Sequence, residues 1–291
     1  MSESTLELKT YHGNCHCGAF KFTIKMPEIT TVTQCDCSIC FKKGYRWVFP
    51  AKDCFEIIKG EGTLKEYHFG KRTMVHRFCG TCGTGVQGFR YNTPAGMDIG
   101  INVNSLQDID QWSLTVKKYN GLAHEPQYVA PKYTGELPTA EFENEKIYTG
   151  GCHCGAVGIA LKTRAPLSEG CEFIQECNCS ICCRLGTTIC YTKKDQVAIS
   201  GTSHLTSYSF GQSYNKFQFC STCGITVIVD KNVSAVSKSP KTWDAWTPAQ
   251  QERWLNILPV NLRCFEGVEW DTINIYKANS RATDPQYVVP E

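Results

Sequence analysis

The sequence has few methionines, no long hydrophobic run and no block of like charges. Its 291 residues include 4 Met, and 30 Lys and Arg nearly balance 28 Asp and Glu, for a formal net charge of +2. Phosphate binding needs a basic surface, so we expect no nucleic-acid partner. Ionised cysteines around metal would make the charge mildly negative. A span of the bilayer needs about 20 apolar residues in succession, so we expect no membrane insertion.

Cysteine, by contrast, is abundant, with 19 residues. The first residues show neither the basic start nor the apolar core of a secretory signal, so we expect a reducing, cytoplasmic location. In that compartment clustered cysteines usually bind metal or act in catalysis. The alternative, that they are ordinary buried or disulfide-bonded thiols, is disfavoured because the same spacing occurs twice.

A framework of seven cysteines occurs twice in the same order, as C-x-C, C-x-C-x-x-C and C-x-x-C. The first copy comprises Cys15, Cys17, Cys35, Cys37, Cys40, Cys79 and Cys82. The second copy comprises Cys152, Cys154, Cys177, Cys179, Cys182, Cys220 and Cys223. Flanking segments also match, at 11–19 with 148–156, 69–70 with 210–211, 101–104 with 258–261, and 126–131 with 285–290. This pattern indicates a tandem copy of a whole domain.

The repeats predict a first zinc domain over residues 10–131, a linker over 132–146 and a second zinc domain over 147–291. The second copy carries an insertion at about 231–253. Within it, Thr247 followed by Pro248 is a helix-start signal that predicts a short helix.

Most of the remaining pattern predicts strands. Phe20-Lys-Phe-Thr-Ile alternates apolar and polar residues, and other short β-type runs are separated by Gly and Pro. Many short strands between turn residues favour antiparallel sheets. The fold class is therefore predicted to be mainly β.

Each set of seven thiols divides into four and three. The C-x-C and C-x-x-C pairs come from distant parts of the chain, so one ion held by all four would join them. Four thiolates form a closed tetrahedral zinc site that stabilises the fold. We expect such structural sites at Cys15, Cys17, Cys79 and Cys82, and at Cys152, Cys154, Cys220 and Cys223.

The middle cluster of each copy supplies three ligands from one short loop. Three protein ligands leave zinc a fourth position, which is typical of a catalytic site. An exogenous thiol is the natural occupant, because zinc holds it as thiolate at neutral pH. The alternatives are a second structural site completed by another residue, or an empty site oxidised to a disulfide. The two triples are Cys35, Cys37 and Cys40, and Cys177, Cys179 and Cys182.

The motifs G-x-C-H-C-G-A, C-x-C-S-I-C and F-C-x-x-C-G together resemble those of the glutathione-dependent formaldehyde-activating enzyme family, which includes centromere protein V-like members. The resemblance implies a β-tent of antiparallel sheets in each copy. It also implies a structural zinc at the four outer cysteines, a catalytic zinc at the triple, and up to four zinc ions in all. The implied activity joins glutathione to formaldehyde or a related small aldehyde, as a carbon–sulfur lyase. The alternative is a non-catalytic zinc scaffold that binds glutathione or a protein partner.

His76 is a candidate proton donor because it lies close in sequence to Cys79, and the alternative is a structural hydrogen-bonding residue. Its counterpart in the second copy is Phe217, so the first domain is expected to be the better catalyst. The expected partners are a small thiol and a small aldehyde. The sequence leaves the oligomeric state open.

Overall fold

The computed structural model describes residues 7–72, 74–91, 98–124, 128–238, 243–283 and 286–291. Residues 239–242 of the insertion and parts of the matched segments near 126 and 285 lie outside these ranges. The chain forms two compact units. The first contains the described residues up to Tyr128 together with Asn178–Gly186 and Asn279–Glu291. The second contains Val129–Cys177 and Thr187–Ala278.

The first repeat contains a three-stranded and a seven-stranded sheet. The small sheet has the order β1-β2-β5, with strands β1 Lys9–Asn14, β2 Lys21–Met26 and β5 Phe55–Lys59. The large sheet has the order β10-β3-β4-β9-β8-β7-β6. Its strands are β3 Thr31–Cys35, β4 Trp47–Val48, β6 Leu64–Tyr67, β7 Met74–Cys79, β8 Gly85–Arg90, β9 Ile99–Asn102 and β10 Thr115–Tyr119. The helix α1, Ser38–Lys43, follows β3.

The second repeat has the same two sheets. The small sheet has the order β11-β12-β15, with β11 Lys146–Gly151, β12 Gly158–Thr163 and β15 Val197–Ser200. The large sheet has the order β16-β17-β18-β19-β14-β13-β20. Its strands are β13 Phe173–Cys177, β14 Ile189–Lys193, β16 Leu205–Tyr208, β17 Asn215–Cys220, β18 Thr226–Lys231, β19 Ile257–Asn261 and β20 Tyr276–Ala278. The helices are α2 Ser180–Leu185, α3 Val233–Ser237 and α4 Pro248–Asn256.

The predicted mainly β fold with two repeated domains is confirmed. The pairing is antiparallel apart from one parallel pair at an edge of each large sheet, β10 with β3 and β13 with β20. Phe20, Phe22 and Ile24, which alternate along β2 and the turn before it, are each at most 2% exposed. Their burial follows from the period-2 geometry of a strand with one face on the core.

The helix predicted at Thr247 is present as α4. The side chain of Thr247 accepts a hydrogen bond from the backbone N–H of Gln250 at 3.3 Å, and the Gln250 side chain accepts from the backbone N–H of Thr247 at 2.9 Å. This reciprocal arrangement is a capping box, which satisfies two N–H groups that the helix itself cannot pair.

The sequence match of Asn104 with Asn261 is wrong by two residues, because the structural counterpart of Asn261 is Asn102. The side-chain amide of Asn102 donates to the carbonyl oxygen of Gly85 at 2.7 Å. That of Asn261 donates to the carbonyl oxygen of Thr226 at 2.8 Å. Each asparagine also precedes a short 3-10 turn that it caps.

Candidate metal centres

Two tight turns build the first group of four thiols. The turn after Cys15 closes at Gly18 with φ 73°, and the turn after Cys79 closes at Gly83 with φ 77°. Both angles lie in the left-handed region that favours glycine. The turns bring together four Sγ atoms within 4.8 Å of one another, those of Cys15, Cys17, Cys79 and Cys82.

The second repeat builds the same group from equivalent turns. Its glycines, Gly155 and Gly224, have φ of 79° and 69°. The backbone N–H of Val157 donates to Cys152 Sγ at 3.3 Å. The four Sγ atoms again lie within 4.8 Å of one another, in Cys152, Cys154, Cys220 and Cys223.

The spacing of these thiols fits a tetrahedral ion. Cys17 Sγ lies 3.6 Å from both Cys15 Sγ and Cys79 Sγ. A disulfide would require about 2.05 Å, whereas four sulfurs bound to zinc at about 2.3 Å lie about 3.8 Å apart. Soft thiolates select zinc over Mg²⁺ and Ca²⁺. Cys15, Cys79 and Cys82 are buried and Cys17 is partly exposed, and four thiols around one ion give the closed form of a structural site.

The first triple is formed where β3 passes into α1. Cys35 ends the strand, Cys37 stands at the N-cap of the helix and Cys40 lies inside it. The three Sγ atoms lie within 4.8 Å of one another. Hydrogen bonds from the thiols of Cys37 and then Cys40 lower the pKa of Cys35 to about 3. Cys35 and Cys37 are partly exposed, so an exogenous ligand can reach this group.

A loop after β10 lies against the first triple. The Asp36 carboxylate accepts hydrogen bonds from the backbone N–H groups of Gly121 at 2.7 Å and Leu122 at 3.0 Å. A Cβ atom at Gly121 would lie 2.2 Å from Cys35 Sγ. Position 121 therefore admits only glycine while Cys35 keeps its place.

The second triple has the same local construction. Cys177 ends β13, Cys179 stands at the N-cap of α2 and Cys182 lies in α2. Their Sγ atoms lie within 4.8 Å of one another, and all three residues are partly exposed. Both triples predicted from the sequence are therefore brought together in space.

Asn178 replaces Asp36 between the first two cysteines of the second triple. Its amide nitrogen donates to Asn279 Oδ1 at 2.7 Å, and its Oδ1 accepts from the backbone N–H of Arg281 at 2.8 Å. The aspartate and the asparagine thus each bind the loop that follows the last strand of a repeat.

His76 is buried within an aromatic stack. Its ring lies 5.7 Å from Tyr45, centroid to centroid, at an interplanar angle of 10°, and 6.1 Å from Phe69. Neither ring nitrogen has a hydrogen-bond partner among the described residues. Burial, and after it the charge of Lys43, lowers the pKa of His76 to about 3. The imidazole is therefore neutral at physiological pH.

Phe217 is the structural counterpart of His76. His76 pairs with Tyr67 across β7 and β6, and Phe217 pairs with Tyr208 across β17 and β16. Phe217 stacks on Phe210 at 5.9 Å, much as His76 stacks on Phe69. The second repeat has therefore exchanged a buried imidazole for a phenyl ring of similar placement.

Sequence reasoning missed Trp47. Its indole Nε1–H donates to Cys40 Sγ at 3.3 Å, and its ring lies 4.3 Å from that of Tyr45. The residue is 4% exposed. The available signal was the replacement of Trp47 by Ile189, since each lies three residues after the glycine that caps the preceding helix, Gly44 or Gly186.

His16 lies between two ligands of the first group, but its side chain contacts residues outside that group. Its Nε2 is 3.0 Å from Ser180 Oγ, and its ring lies 4.6 Å from that of Tyr287, centroid to centroid, at an interplanar angle of 34°. Tyr287 donates its hydroxyl to the carbonyl oxygen of His16 at 2.7 Å. Burial, followed by the charge of Arg184, lowers the pKa of His16 to about 4. His16 therefore packs the turn against its surroundings.

The remaining cysteines belong to none of the four groups found among the described residues. Cys183 is buried directly after Cys182, yet it is not part of the second triple. The others are Cys54, Cys171, Cys190 and Cys264.

Two copies of a mainly β domain, each with a group of four and a group of three thiols, define a class of cysteine-rich proteins suited to zinc. The chain belongs to the glutathione-dependent formaldehyde-activating enzyme family, whose model matches residues 10–121 and 147–241. A solved structure of a Rhodobacter sphaeroides protein is similar at 28% identity and a TM-score of 0.33. That match covers 36% of this chain and 99% of the other.

Among the residues whose structure is described, none of the helices has the length and apolar character needed to cross a membrane.

Proposed function

We propose that the chain is a zinc-dependent carbon–sulfur lyase that joins glutathione to formaldehyde or a related small aldehyde, in the manner of an S-(hydroxymethyl)glutathione synthase. The observation that carries this proposal is the first triple, in which Cys35 and Cys37 are partly exposed. Its buried Cys40 contacts Trp47, whose ring lies 6.3 Å from that of His76, centroid to centroid. Family membership supports the choice of thiol and aldehyde.

In this proposal Cys35, Cys37 and Cys40 would hold a zinc ion, and three protein ligands would leave it accessible to the substrate thiol. The bound zinc supplies Lewis acidity, which keeps a thiol ionised at neutral pH and favours charge on an adjacent oxygen. The partial exposure of Cys35 and Cys37 gives glutathione access, whereas buried Cys40 closes the inner side.

The reaction requires the protein to position the thiol and the aldehyde and to assist transfer of one proton. A sulfur–carbon bond forms, the carbonyl π bond of the aldehyde breaks, and the proton released by the thiol ends on the new hydroxyl oxygen. His76 is neutral, so it acts as a hydrogen-bond donor toward that oxygen and not as an imidazolium acid. A buried imidazole with no other partner is available for such a contact.

We assign the activity mainly to the first repeat. Phe217 offers no proton or lone pair where His76 stands, and Ile189 offers no donor where Trp47 stands. The partners of the active protein are small thiols and aldehydes, with no nucleic acid, and its location is cytoplasmic.

The second candidate function is a zinc scaffold that binds glutathione or a protein partner without turnover. The observation that favours it is Phe217, because the second repeat keeps the three thiols but loses the ionisable residue beside them. Calorimetry that finds tight glutathione binding with no rate enhancement would support this function.

The test is the rate of adduct formation from glutathione and formaldehyde, measured above the spontaneous rate. Zinc-loaded protein should accelerate it, Cys37→Ser should abolish most of the gain, and the matched Cys179→Ser variant should retain most of it. Absence of acceleration by the zinc-loaded wild type rules the lyase out. Loss of all activity in Cys179→Ser alone would reverse the assignment of the two repeats.

A further inference from the structure

The two triples differ in what surrounds them, and the difference centres on one indole. Trp47 donates Nε1–H to Cys40 Sγ at 3.3 Å, and both residues are at most 4% exposed. An indole nitrogen is a donor only, and burial without an acceptor is costly. A thiolate in the same dry environment needs a donor for the same reason. The contact therefore satisfies both groups at once.

Glycines provide the space that the indole occupies. Gly88 and Gly100 face each other across β8 and β9. A Cβ atom would lie 3.3 Å from a Trp47 ring carbon at Gly88 and 3.2 Å from one at Gly100. A Cβ at Gly85 would lie 2.5 Å from Tyr45 in the same way. Three glycines thus line a slot for two adjacent aromatic rings.

In the second repeat the equivalent space is filled by other residues, at the positions of both the aromatic rings and the glycines. The strand pairings place Ile189 beside Asn261 where Trp47 stands beside Asn102. By the same register, Val229 stands for Gly88 and Pro259 for Gly100. Similarly, Thr187 replaces Tyr45 and Thr226 replaces Gly85. In the first repeat two large aromatic rings pack against glycines. In the second repeat smaller residues take the places of the rings, and residues with side chains take the places of the glycines, which leaves no space for an indole.

We propose that Trp47 is a positioning residue for the first triple, and that its hydrogen bond to Cys40 tunes the metal held there through an indole donor whose place Ile189 takes in the second repeat. The proposal rests on zinc occupancy of the triples, which the proposed function also uses, but it does not require the lyase reaction. A hydrogen bond to a ligating sulfur withdraws electron density from it, which leaves the metal more electrophilic and fixes the ligand's orientation.

The experiment uses the full chain loaded with ¹¹³Cd²⁺, which thiolate sites accept in place of zinc and which reports each site by its own NMR resonance. Four resonances are expected, and Cys37→Ser identifies the one that belongs to the first triple. In the wild-type protein a scalar coupling should connect the Trp47 indole proton with that cadmium through the hydrogen bond to Cys40. Absence of this coupling overturns the proposal without any variant of Trp47.

Trp47→Phe keeps an aromatic ring in the slot and removes the donor. It should shift the resonance of the first triple alone and weaken metal retention there by about 10- to 100-fold in chelator competition. The matched control is Ile189→Val, which should leave every resonance and the chelator titration unchanged. A shift of all four resonances in Trp47→Phe, or of none, would overturn the proposal.

Failure of this proposal and failure of the lyase proposal remain distinguishable, because the cadmium resonances are read without glutathione or aldehyde. If the coupling is present but the protein shows no rate enhancement, the proposed role of Trp47 is supported and only the lyase proposal is refuted. If the protein is active but the coupling is absent, only the proposed role of Trp47 is refuted.

Discussion

His76 and Phe217 occupy one position in the two large sheets, each opposite a tyrosine and each stacked on a phenylalanine. Only His76 carries groups able to bond a substrate, and both of its ring nitrogens lack partners among the described residues. A buried polar side chain without a hydrogen-bond partner lowers the stability of the fold, so the presence of His76 indicates a functional role.

Replacement of His76 should reduce activity without loss of metal. His76→Phe copies the second repeat, whose packing shows that a phenyl ring fits this stack. We expect the rate of glutathione–formaldehyde adduct formation to fall by about 10²-fold, the lower range for loss of one hydrogen-bond donor to a developing oxyanion. Phe217→Leu is the matched control and should leave the rate unchanged. Wild-type activity in His76→Phe at equal zinc content would contradict the role of His76.

The same substitution should change the response of stability to acid. The pKa of His76 is about 3 in the folded protein and about 6.5 in an unfolded chain. The unfolded state therefore binds the extra proton, so stability is complete above pH 6.5 and declines as the pH falls toward 3. The slope approaches about 1.4 kcal/mol per pH unit for this one group.

Urea unfolding at several pH values measures this effect as the difference between wild type and His76→Phe. Other acid-sensitive groups, including the metal ligands, contribute to both proteins and cancel in the comparison. The wild type should lose stability relative to the variant between pH 6.5 and 4. Parallel curves would show that burial does not lower the pKa of His76.

Gly121 should be essential to the first triple alone. Gly121→Ala places a methyl group 2.2 Å from the present position of Cys35 Sγ, so the sulfur or the loop must move. The expected zinc content falls by one ion per chain, with the other sites retained. Metal analysis after dialysis measures the loss. Asp36→Asn is the control, because Asn178 shows that an amide can bind the equivalent loop, and it should keep full zinc.

The hydroxyl of Tyr287 should stabilise the first group of four thiols. It donates to the carbonyl oxygen of His16 and accepts from the side chain of Asn14 at 2.9 Å. Tyr287→Phe leaves buried polar groups with fewer partners and should lower the free energy of unfolding by about 1–3 kcal/mol. Tyr133→Phe removes an exposed tyrosine hydroxyl bond and should change it by less than about 0.5 kcal/mol. Equal effects in the two variants would contradict the assignment.

The thiol groups could be predicted because ligand spacing in sequence is a local property. The loops that carry Cys15 and Cys17, or Cys35 and Cys37, are too short for their sulfurs to separate. The division into four and three followed from the distance between the pairs along the chain. The helix at Thr247 was predictable for the same reason, since its cap lies within four residues.

Register and packing were not predictable in the same way. Two nearby asparagines, Asn102 and Asn104, both fitted the match with Asn261, and they are distinguished by the hydrogen bond to Gly85 and by the strand pairing of Asn102 with Trp47. Trp47 looked like an ordinary strand residue because its glycine partners come from β8 and β9, far along the chain. Their joint replacement in the second repeat is visible in the sequence only after the strands have been aligned.

The composition of the first unit has a consequence for biosynthesis. Asn178–Gly186 and Asn279–Glu291 belong to this unit, and a Cβ atom at Gly18 would lie 2.5 Å from the carbonyl oxygen of Pro290. A ribosome makes Asn178–Gly186 after the Val129–Cys177 part of the second unit, and it makes Asn279–Glu291 after the whole of that unit. The first half of the polypeptide therefore cannot complete its packing during synthesis. The surface that these segments cover in the folded protein stays exposed until they have been made. An early metal ion at Cys15, Cys17, Cys79 and Cys82 would keep that nascent half ordered during the wait.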